Sequence, residues 1–226
     1  MNVLVVAAHP DDELLGCGGT AARLAGEGHS VYLSILGEGI TSRHTDRAEA
    51  DPGAIKSLHG NSQRVADLLG AKGLSFHGLP DNRFDSVPLL DVVKMVEQII
   101  ERWRPEAVYT HHGGDLNVDH RILSQAVLTA TRPGQRNSVR DVYMFEIPSS
   151  TEWAFQQLSP AFRPNVFVDI SATLDTKLKG IQEYESEVRA FPHPRSSEAL
   201  RAIVQRWGSV AGCKAAEAFE LVRSIR

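Results

Sequence analysis

The sequence has only two cysteines, Cys17 and Cys213, placed towards opposite ends of the 226-residue chain. It contains no C-x-x-C pair. A disulfide framework and a cysteine-ligated zinc cluster are therefore excluded, because both need several suitably spaced cysteines. We expect both thiols to be reduced and to behave as small apolar side chains.

The chain also lacks long apolar runs and an excess of basic residues. No run approaches the roughly 20 apolar residues that cross a bilayer, and the opening run, residues 3–8, has no basic segment before it and is too short for a signal peptide. The formal net charge of −4 gives no basic footprint for nucleic acid or anionic lipid. We therefore expect a cytoplasmic protein with no membrane insertion and no nucleic-acid partner.

A glycine-rich phosphate loop is missing after the first apolar run. The nearby glycines, Gly16, Gly18 and Gly19, do not have the G-x-G-x-x-G spacing of a dinucleotide-binding turn. A non-catalytic nucleotide-binding α/β module is therefore an alternative that this part of the sequence disfavours.

Apolar runs of strand length alternate with segments of helical periodicity along the chain. We predict strands at residues 3–8, 30–36, 74–77, 107–110, 142–147 and 165–170. Helices are predicted at residues 18–26, 62–69, 89–104, 119–131, 174–189 and 196–206, while 214–225 suits either a helix or a helix–strand hybrid. This alternation favours an α/β fold with a mostly parallel sheet. No repeat or linker interrupts it, so we expect a single domain over residues 1–226.

A cluster of polar residues follows the first predicted strand, in the order His9, Pro10, Asp11, Asp12 and Glu13. In open α/β sheets, ligands bind at the carboxyl ends of the strands. His9 and Asp12 can offer one nitrogen and one oxygen to a divalent metal, with Asp11 beside it as a general base. Acidic residues also stabilise the first turn of a helix, but this alternative leaves His9-Pro10 unexplained.

A second cluster, residues 110–121, follows the strand predicted at 107–110 and contains three histidines and two aspartates. His120 can complete a set of two histidines and one carboxylate, which is typical of catalytic zinc and equally of non-haem iron oxygenases. The spacing of these residues along the sequence does not distinguish zinc from iron. Asp119 can hold an imidazole in one tautomer, whereas His111 and His112 can simply satisfy backbone groups in a loop.

Together, the AHPDDE sequence after an apolar strand and the distal Asp119-His120 pair resemble the PIG-L/LmbE-like N-deacetylases. This family includes the GlcNAc-phosphatidylinositol deacetylase and the deacetylases of the mycothiol and bacillithiol pathways. The resemblance covers most of the chain and includes residues 37–47, 79–82, 167–170 and Lys177. It implies a Rossmann-like three-layer fold and hydrolysis of the acetamide of an N-acetylated amino sugar or sugar conjugate.

Carried over by position, the resemblance makes His9, Asp12 and His120 the ligands of one Zn²⁺, which other divalent metals can replace. It makes Asp11 the general base and Asp119 an orienting residue. The same resemblance predicts that two further residues contact the sugar, Arg43 and Asp81.

One position departs from the family pattern. Many relatives have a histidine three residues before the last metal ligand, where this chain has Asn117. Asparagine can donate a hydrogen bond to an oxyanion but cannot act as an acid. Either Asp11 must then transfer the proton in both directions or another residue must supply it. Our candidate for the second role is His193, flanked by two prolines, acting in its own chain or from a neighbouring copy in a homo-oligomer. Hydrolysis of an ester or amidine and iron-dependent oxygenation stay open as alternatives.

Overall fold

A computed structural model of the chain describes residues 1–43, 45–134, 139–158 and 160–226. Within these ranges, seven strands are formed: β1 (Asn2–Ala7), β2 (Ser30–Gly37), β3 (Gly73–Leu79), β4 (Ala107–His111), β5 (Asp141–Phe145), β6 (Val166–Asp169) and β7 (Ala216–Arg223). The α-helices in the same ranges are α1 (Asp12–Gly26), α2 (Pro52–Leu69), α3 (Leu89–Trp103), α4 (Val118–Ala130), α5 (Leu174–Glu183) and α6 (Ser197–Ala211). None of these helices is long and apolar enough to traverse a bilayer.

The strands form one sheet in the order β3-β2-β1-β4-β5-β7-β6. The five strands from β3 to β5 in this order are parallel, whereas β7 runs antiparallel to both of its neighbours. The chain proceeds from β1 outwards to β3 and then returns to place β4 on the other side of β1. The carboxyl ends of β1 and β4 therefore lie at a topological switch point, where open α/β sheets bind ligands.

Helices cover both faces of the sheet. Alternate residues of β1 enter two separate cores: Val3 and Val5 pack towards α1, α2 and α5, whereas Leu4 and Val6 pack towards α3 and α4. These β1 side chains are almost fully buried, which explains why the strand is a continuous apolar run rather than an alternating one. The predicted three-layer α/β fold with a mostly parallel sheet is confirmed.

Helix α1 begins at Asp12, six residues before the predicted start, and is broken at Cys17, which has φ −149°. At the break, the carbonyl of Leu15 accepts a hydrogen bond from Lys177 Nζ (2.7 Å), and the N–H of Gly19 donates to Glu217 (2.9 Å). In a regular helix these two backbone groups would bond to each other. The buried Lys177–Glu217 ion pair (2.5 Å) therefore stands between two turns of α1, an arrangement that helical periodicity does not reveal.

Several other predicted elements differ from the structure, among them helix 196–206, which extends to Ala211. Helix α2 begins at Pro52 rather than residue 62, because the Asp51 carboxylate caps it by accepting from the Gly53 N–H (2.9 Å). Helix α5 ends at Glu183 rather than residue 189, and the next side chain, Tyr184, is fully buried. The tail forms the strand β7, since it pairs with β5 on one side and β6 on the other. The strand predicted at 142–147 ends at Phe145.

Candidate metal centre and active site

The two polar clusters meet where β1 and β4 end. The strands are paired in parallel with Val5 opposite Tyr109, so His9 and the residues after His111 leave the sheet at the same edge. The N–H of Ala8 donates to Nε2 of His111 (2.8 Å), which fastens the two strand ends together.

Two histidines and one carboxylate converge at this edge. Nδ1 of His9 and Nε2 of His120 each lie 3.2 Å from Oδ2 of Asp12, and the ligand atoms of the three residues lie within 4.8 Å of one another. Oδ1 of Asp12 is buried without a partner in the described part of the chain, and Nε2 of His120 faces Oδ2 of the same aspartate without forming a hydrogen bond. Buried polar atoms are normally hydrogen-bonded, so these atoms suit a cation. The three residues predicted as metal ligands are thus placed together around a possible metal site.

Each of the two histidines contacts a further carboxylate through its other ring nitrogen. Nε2 of His9 lies 2.9 Å from Asp119, and Nδ1 of His120 lies 3.1 Å from Asp115. Such carboxylates fix the tautomer and the orientation of metal-binding imidazoles. The sequence interpretation placed Asp119 beside the site but did not pair it with His9, and it missed Asp115. The presence of two aspartates in the second cluster was the sequence feature from which these two contacts could have been predicted.

A second group of possible ligands, His9, Asp81 and Asp119, is better explained as a hydrogen-bond network. The Asp119 carboxylate already accepts from the backbone N–H groups of Asn82 (2.6 Å) and Phe84 (2.9 Å). Oδ2 of Asp81 accepts from both the N–H and the hydroxyl of Ser42. Asp81, predicted to contact the sugar, lines the cavity described below and also holds one of its walls in place.

The charges of the metal-ligand set favour a cation. Burial lowers the pKa of His120, but the carboxylates of Asp12 and Asp115 outweigh burial and raise this pKa to about 9. Burial raises the pKa of Asp12, yet the neighbouring His120 and His111 rings hold it well below the ordinary value. Since metal ligands must be deprotonated, a cation that binds here displaces a proton from the histidine.

Asp11 has a backbone conformation that is rare for a residue other than glycine, with φ 106° and ψ −30°. Such a conformation costs on the order of 1–3 kcal/mol and persists only when the surroundings impose it. Here the Asp11 N–H donates to Oε2 of Glu13 (3.0 Å), whose other oxygen accepts from the buried Tyr184 hydroxyl. The Asp11 side chain makes no capping hydrogen bond. Stabilisation of the helix terminus therefore does not explain this residue.

The Asp11 carboxylate is buried and paired with an arginine that the sequence interpretation missed. Nη1 of Arg195 donates to Oδ2 of Asp11 (2.7 Å), while Nε of the same arginine donates to the Ser149 hydroxyl (2.9 Å). Burial raises the pKa of Asp11 well above the ordinary aspartate value, although the charge of Arg195 opposes this shift. A carboxylate whose pKa is moved towards neutrality is suited to general-base chemistry.

A cavity of about 190 Å³ opens over these groups and is lined by His9, Asp11, Asn117 and Arg195, among others. Asn117 caps α4 with its side-chain oxygen, which accepts from the Asp119 N–H (2.8 Å). Its amide nitrogen faces Asn82 and donates to the Asn82 side-chain oxygen (2.9 Å).

The predicted sugar-contacting Arg43 also lines this cavity. Its guanidinium is already paired with Glu187, 2.5 Å away.

His193 does not line this cavity. Its ring packs edge-on against Trp153, with the ring centroids 5.5 Å apart, and its Nδ1 accepts from the backbone N–H of Arg195 (3.1 Å). Within one chain, Asp11 is therefore contacted by Arg195, two positions after His193, and not by His193 itself. A contribution of His193 to a neighbouring copy stays a prediction.

The remaining histidines of the second cluster have structural contacts. Nε2 of His111 accepts a backbone hydrogen bond, and burial holds the pKa of this ring well below 6.5. His112 lies between the Glu220 carboxylate (2.7 Å) and the carbonyl of Pro160 (2.8 Å).

Residues 4–131 match the sequence profile of the PIG-L family, described as GlcNAc-PI de-N-acetylase. The matched range is more than half of the chain and contains both polar clusters. The chain belongs to the PIG-L family. Arg195 lies beyond the matched range, so the family profile does not account for its contact with Asp11.

Three relatives illustrate the reactions associated with similar sequences. "Uncharacterized deacetylase YaiS" of Escherichia coli is 28% identical, over 82% of this chain and 91% of the relative. Diacetylchitobiose deacetylase of Thermococcus kodakarensis is 27% identical, over 99% and 84% respectively. 4-Oxalmesaconate hydratase of Pseudomonas putida is 29% identical, over 80% and 72%. The names of these relatives thus include two kinds of reaction, deacetylation and hydration.

A solved structure supports the fold assignment. The conserved protein TT1542 from Thermus thermophilus superposes with a TM-score of 0.78 at 26% sequence identity, covering 99% of this chain and 96% of that one. The predicted Rossmann-like deacetylase fold is confirmed by this similarity together with the family match.

Proposed function

We propose that this chain is a zinc-dependent N-deacetylase that hydrolyses the acetamide of an N-acetylated amino sugar or sugar conjugate. The observation that carries the proposal is the convergence of the His9, Asp12 and His120 ligand atoms next to the buried carboxylate of Asp11. Membership of the PIG-L family and the deacetylase names of relatives support it.

His9, Asp12 and His120 would hold the zinc ion. When bound, zinc would polarise the acyl carbonyl and lower the pKa of water towards about 7. Three protein ligands would leave a fourth position for water or substrate, as in catalytic zinc sites. His9 and His120 are each fixed by a carboxylate on the opposite ring nitrogen, which limits the reorganisation needed when the metal binds.

Asp11 moves the proton in the proposed reaction. Its carboxylate takes a proton from the attacking water while the water oxygen forms a bond to the acetamide carbon. Asp11 then gives this proton to the nitrogen as the carbon–nitrogen bond breaks. The products are acetate and a free amine. We assign both transfers to Asp11, since His193 of the same chain does not line the cavity.

Two cavity residues can donate hydrogen bonds to the oxyanion that forms on the acetamide oxygen. Asn117 offers its side-chain amide nitrogen and Arg195 its guanidinium, and both line the cavity beside Asp11. Donors already fixed before the reaction are effective, because little reorganisation accompanies charge development. Asn117 is held at its oxygen by the Asp119 N–H, and Arg195 is held by Ser149.

Hydration of an unsaturated carboxylate is a second candidate, because one relative is named as a hydratase. The same water and the same base would serve that reaction. The cavity offers the carboxylates of such a substrate little, since Arg43 is already paired with Glu187 and only part of the Arg195 guanidinium is left once Asp11 and Ser149 are bound. We therefore favour the deacetylase reaction.

A substrate panel combined with metal analysis tests the proposal. Protein purified without added metal is analysed for zinc and iron, and acetate release is measured with free and nucleotide-linked N-acetyl sugars. We expect zinc to predominate and acetate to be released in equal amount to free amine. Iron with dioxygen consumption would instead indicate an oxygenase. Acetate release from none of the N-acetyl sugars would contradict the proposed reaction.

A further inference from the structure

The turn that follows β5 carries three consecutive hydroxyl side chains, and we call it the hydroxyl turn: Ser149, Ser150 and Thr151. Strand β5 pairs in parallel with β4, with Phe145 opposite His111, so this turn leaves the sheet at the edge where the metal-ligand set lies. The carbonyl of the buried Ile147 accepts from the N–H groups of both Ser150 (3.1 Å) and Thr151 (2.9 Å). The hydroxyl turn is therefore anchored in the core beside the site.

Two of the three hydroxyls hold the carboxylate of Asp115. Oγ of Ser150 donates to Oδ1 of Asp115, and Oγ1 of Thr151 donates to Oδ2 (2.6 Å). The Thr151 hydroxyl is itself fixed, because it accepts from the Ile147 N–H (2.8 Å). All of these side chains are buried. The two hydroxyls thus fix the carboxylate that lies 3.1 Å from Nδ1 of His120 and orients this ring.

The third hydroxyl acts on the other side of the site. Oγ of Ser149 accepts from Nε of Arg195 (2.9 Å), and Nη1 of the same arginine donates to Oδ2 of Asp11 (2.7 Å). Because the guanidinium group is planar and rigid, an acceptor placed on Nε also sets the direction of Nη1. Ser149 therefore fixes the group that contacts the Asp11 carboxylate.

The backbone of Ser149 indicates that its hydroxyl is needed. Ser149 has φ 71°, a conformation that glycine adopts readily and that other residues keep only where the surroundings impose it. Its N–H donates to Oε1 of Glu152 (2.6 Å), but glycine would keep that contact. Only the hydroxyl bond to Arg195 distinguishes serine from glycine here. Asp11, at the other end of this guanidinium, also has a positive φ, 106°.

We infer that the hydroxyl turn is a positioning element for both the proposed base and a metal ligand. Ser149 acts on Asp11 through Arg195, and its two neighbours act on His120 through Asp115. The inference rests on the proposed deacetylase function, because it takes Asp11 as the proton-transfer group and His120 as a zinc ligand. The two arms should fail differently: loss of the first hydroxyl lowers turnover with the metal retained, whereas loss of the others weakens metal binding.

Zinc affinity, measured by chelator competition, tests the arm through Asp115 and needs no substrate. Thr151→Val keeps the shape of the side chain but removes a donor to Asp115, so we expect the affinity to fall by about tenfold, the lower end for partners that orient a ligand. Ser150→Ala should act in the same direction, and Thr151→Ser, which keeps the hydroxyl, should retain most of the parent affinity. Thr131→Val removes another buried threonine hydroxyl, which donates to the Val127 carbonyl (2.8 Å), and should leave zinc affinity unchanged.

Steady-state kinetics and thermal unfolding test the arm through Arg195. Ser149→Gly and Ser149→Ala both remove the acceptor for Arg195, but glycine tolerates the positive φ and alanine does not. We therefore expect the glycine variant to unfold at the higher temperature, while both variants lose about tenfold in kcat with the parent zinc affinity and little change in KM. Acetate release is measured with the N-acetyl sugar of the substrate panel that reacts fastest. Gln156→Gly, at an exposed residue with φ 59°, should keep the parent kcat.

The possible failures can be told apart. Parent kcat in Ser149→Gly would show that the hydroxyl is not needed, and would overturn the arm through Arg195. Unchanged zinc affinity in Thr151→Val and Ser150→Ala, or an equal loss in Thr131→Val, would overturn the arm through Asp115. Either result contradicts the inference that one turn positions both groups and leaves the deacetylase function standing. Acetate release from no member of the panel would overturn the proposed function and the role of Ser149 with it, while the zinc affinities would still decide the other arm.

Discussion

Arg195 donates a hydrogen bond from its guanidinium to the Asp11 carboxylate across 2.7 Å, although 184 positions separate the two residues. Arg195 lies on the segment between α5 and α6, and Asp11 immediately precedes α1. The base proposed from the AHPDDE sequence is therefore positioned by a residue near the other end of the chain. A partly buried, charge-assisted hydrogen bond of this kind is stronger than a neutral one.

Replacement of Arg195 should reduce turnover. Arg195→Ala removes a partner that fixes Asp11 and one donor to the proposed oxyanion, each a charge-assisted interaction worth roughly 1.5–3 kcal/mol. We therefore expect kcat to fall by about 10- to 100-fold or more, with a smaller change in KM. Steady-state kinetics on an N-acetyl sugar measures both, and Arg195→Lys should recover part of the loss by restoring the positive charge.

Two further variants complete this experiment. Arg189→Ala removes an exposed arginine from the same segment, one that bonds to the Ser186 carbonyl (2.6 Å), and should retain parent turnover. His193→Ala tests whether His193, rather than Asp11, gives the proton to the leaving nitrogen. If His193→Ala loses turnover by orders of magnitude with its metal intact while Arg195→Ala does not, the proton donor is His193 and the role proposed for Arg195 is wrong.

The two adjacent aspartates should have separable roles. Asp11→Asn keeps a side chain of the same shape but cannot accept the proton, so we expect zinc to be retained while kcat falls by about 10²–10⁴-fold. Asp12→Ala removes a ligand oxygen and should lose the metal, as should His120→Ala. Metal content and acetate release are measured on the same preparations. Normal hydrolysis by Asp11→Asn would show that another group is the base.

Elements with strong periodicity could be predicted from the sequence alone. The stripe of Val92, Val96 and Ile99 indicated helix α3, and all three side chains are buried as that pattern requires. The short, continuous run of apolar and β-branched residues in β1 indicated a strand that is buried on both faces. Boundaries failed where long-range contacts decide them, as at the break in α1 beside Lys177 and Glu217. Such contacts leave no periodic signal.

The position of the site could also be predicted from the sequence, whereas some of its contacts could not. Parallel strands end at a shared edge, so the meeting of His9 and His120 followed from the order of strands and polar residues. The contact of Arg195 with Asp11 did not, because the segment between α5 and α6 carries no sequence marker of where it passes the site. The pairing of Asp119 with His9 rather than His120 depends on side-chain directions that spacing does not give.

Replacement of Asp115 should weaken metal binding without removing a ligand. Its carboxylate contacts Nδ1 of His120 (3.1 Å) and also accepts from the hydroxyls of Ser150 and Thr151. Mutation of such orienting partners commonly costs about 10- to 100-fold in metal affinity. We expect Asp115→Asn to show a loss of this size in chelator competition, with Asp67→Asn, an exposed aspartate of α2, as the control. If the metal affinity of Asp115→Asn is unchanged, Asp115 does not orient His120 and its role is only to hold Ser150 and Thr151 in place.

The His112–Glu220 pair predicts how stability depends on pH. Burial lowers the pKa of His112, but the hydrogen bond and charge of Glu220 outweigh it and raise this pKa above 6.5. Burial raises the pKa of Glu220, yet the hydrogen bond from His112 outweighs it and lowers this pKa below 4.5. The raised histidine stabilises the fold below about 6.5 and this contribution is lost as the pH rises through its folded pKa. The lowered glutamate stabilises the fold above about 4.3 and this contribution is lost as the pH falls through its folded pKa.

Glu220→Gln should therefore lower the melting temperature most near pH 6, where both groups are charged. A loss of about 1 kcal/mol would lower it by about 2–4 °C in a chain of this size, and the difference should shrink at pH 9, where the imidazole is neutral. Thermal unfolding of parent and variant at both pH values measures this. Glu97→Gln, which breaks the exposed Lys94–Glu97 pair, should change little at either pH. A Glu220→Gln deficit equal at pH 6 and pH 9 would contradict the ion pair, because only a neutral hydrogen bond is insensitive to the histidine charge.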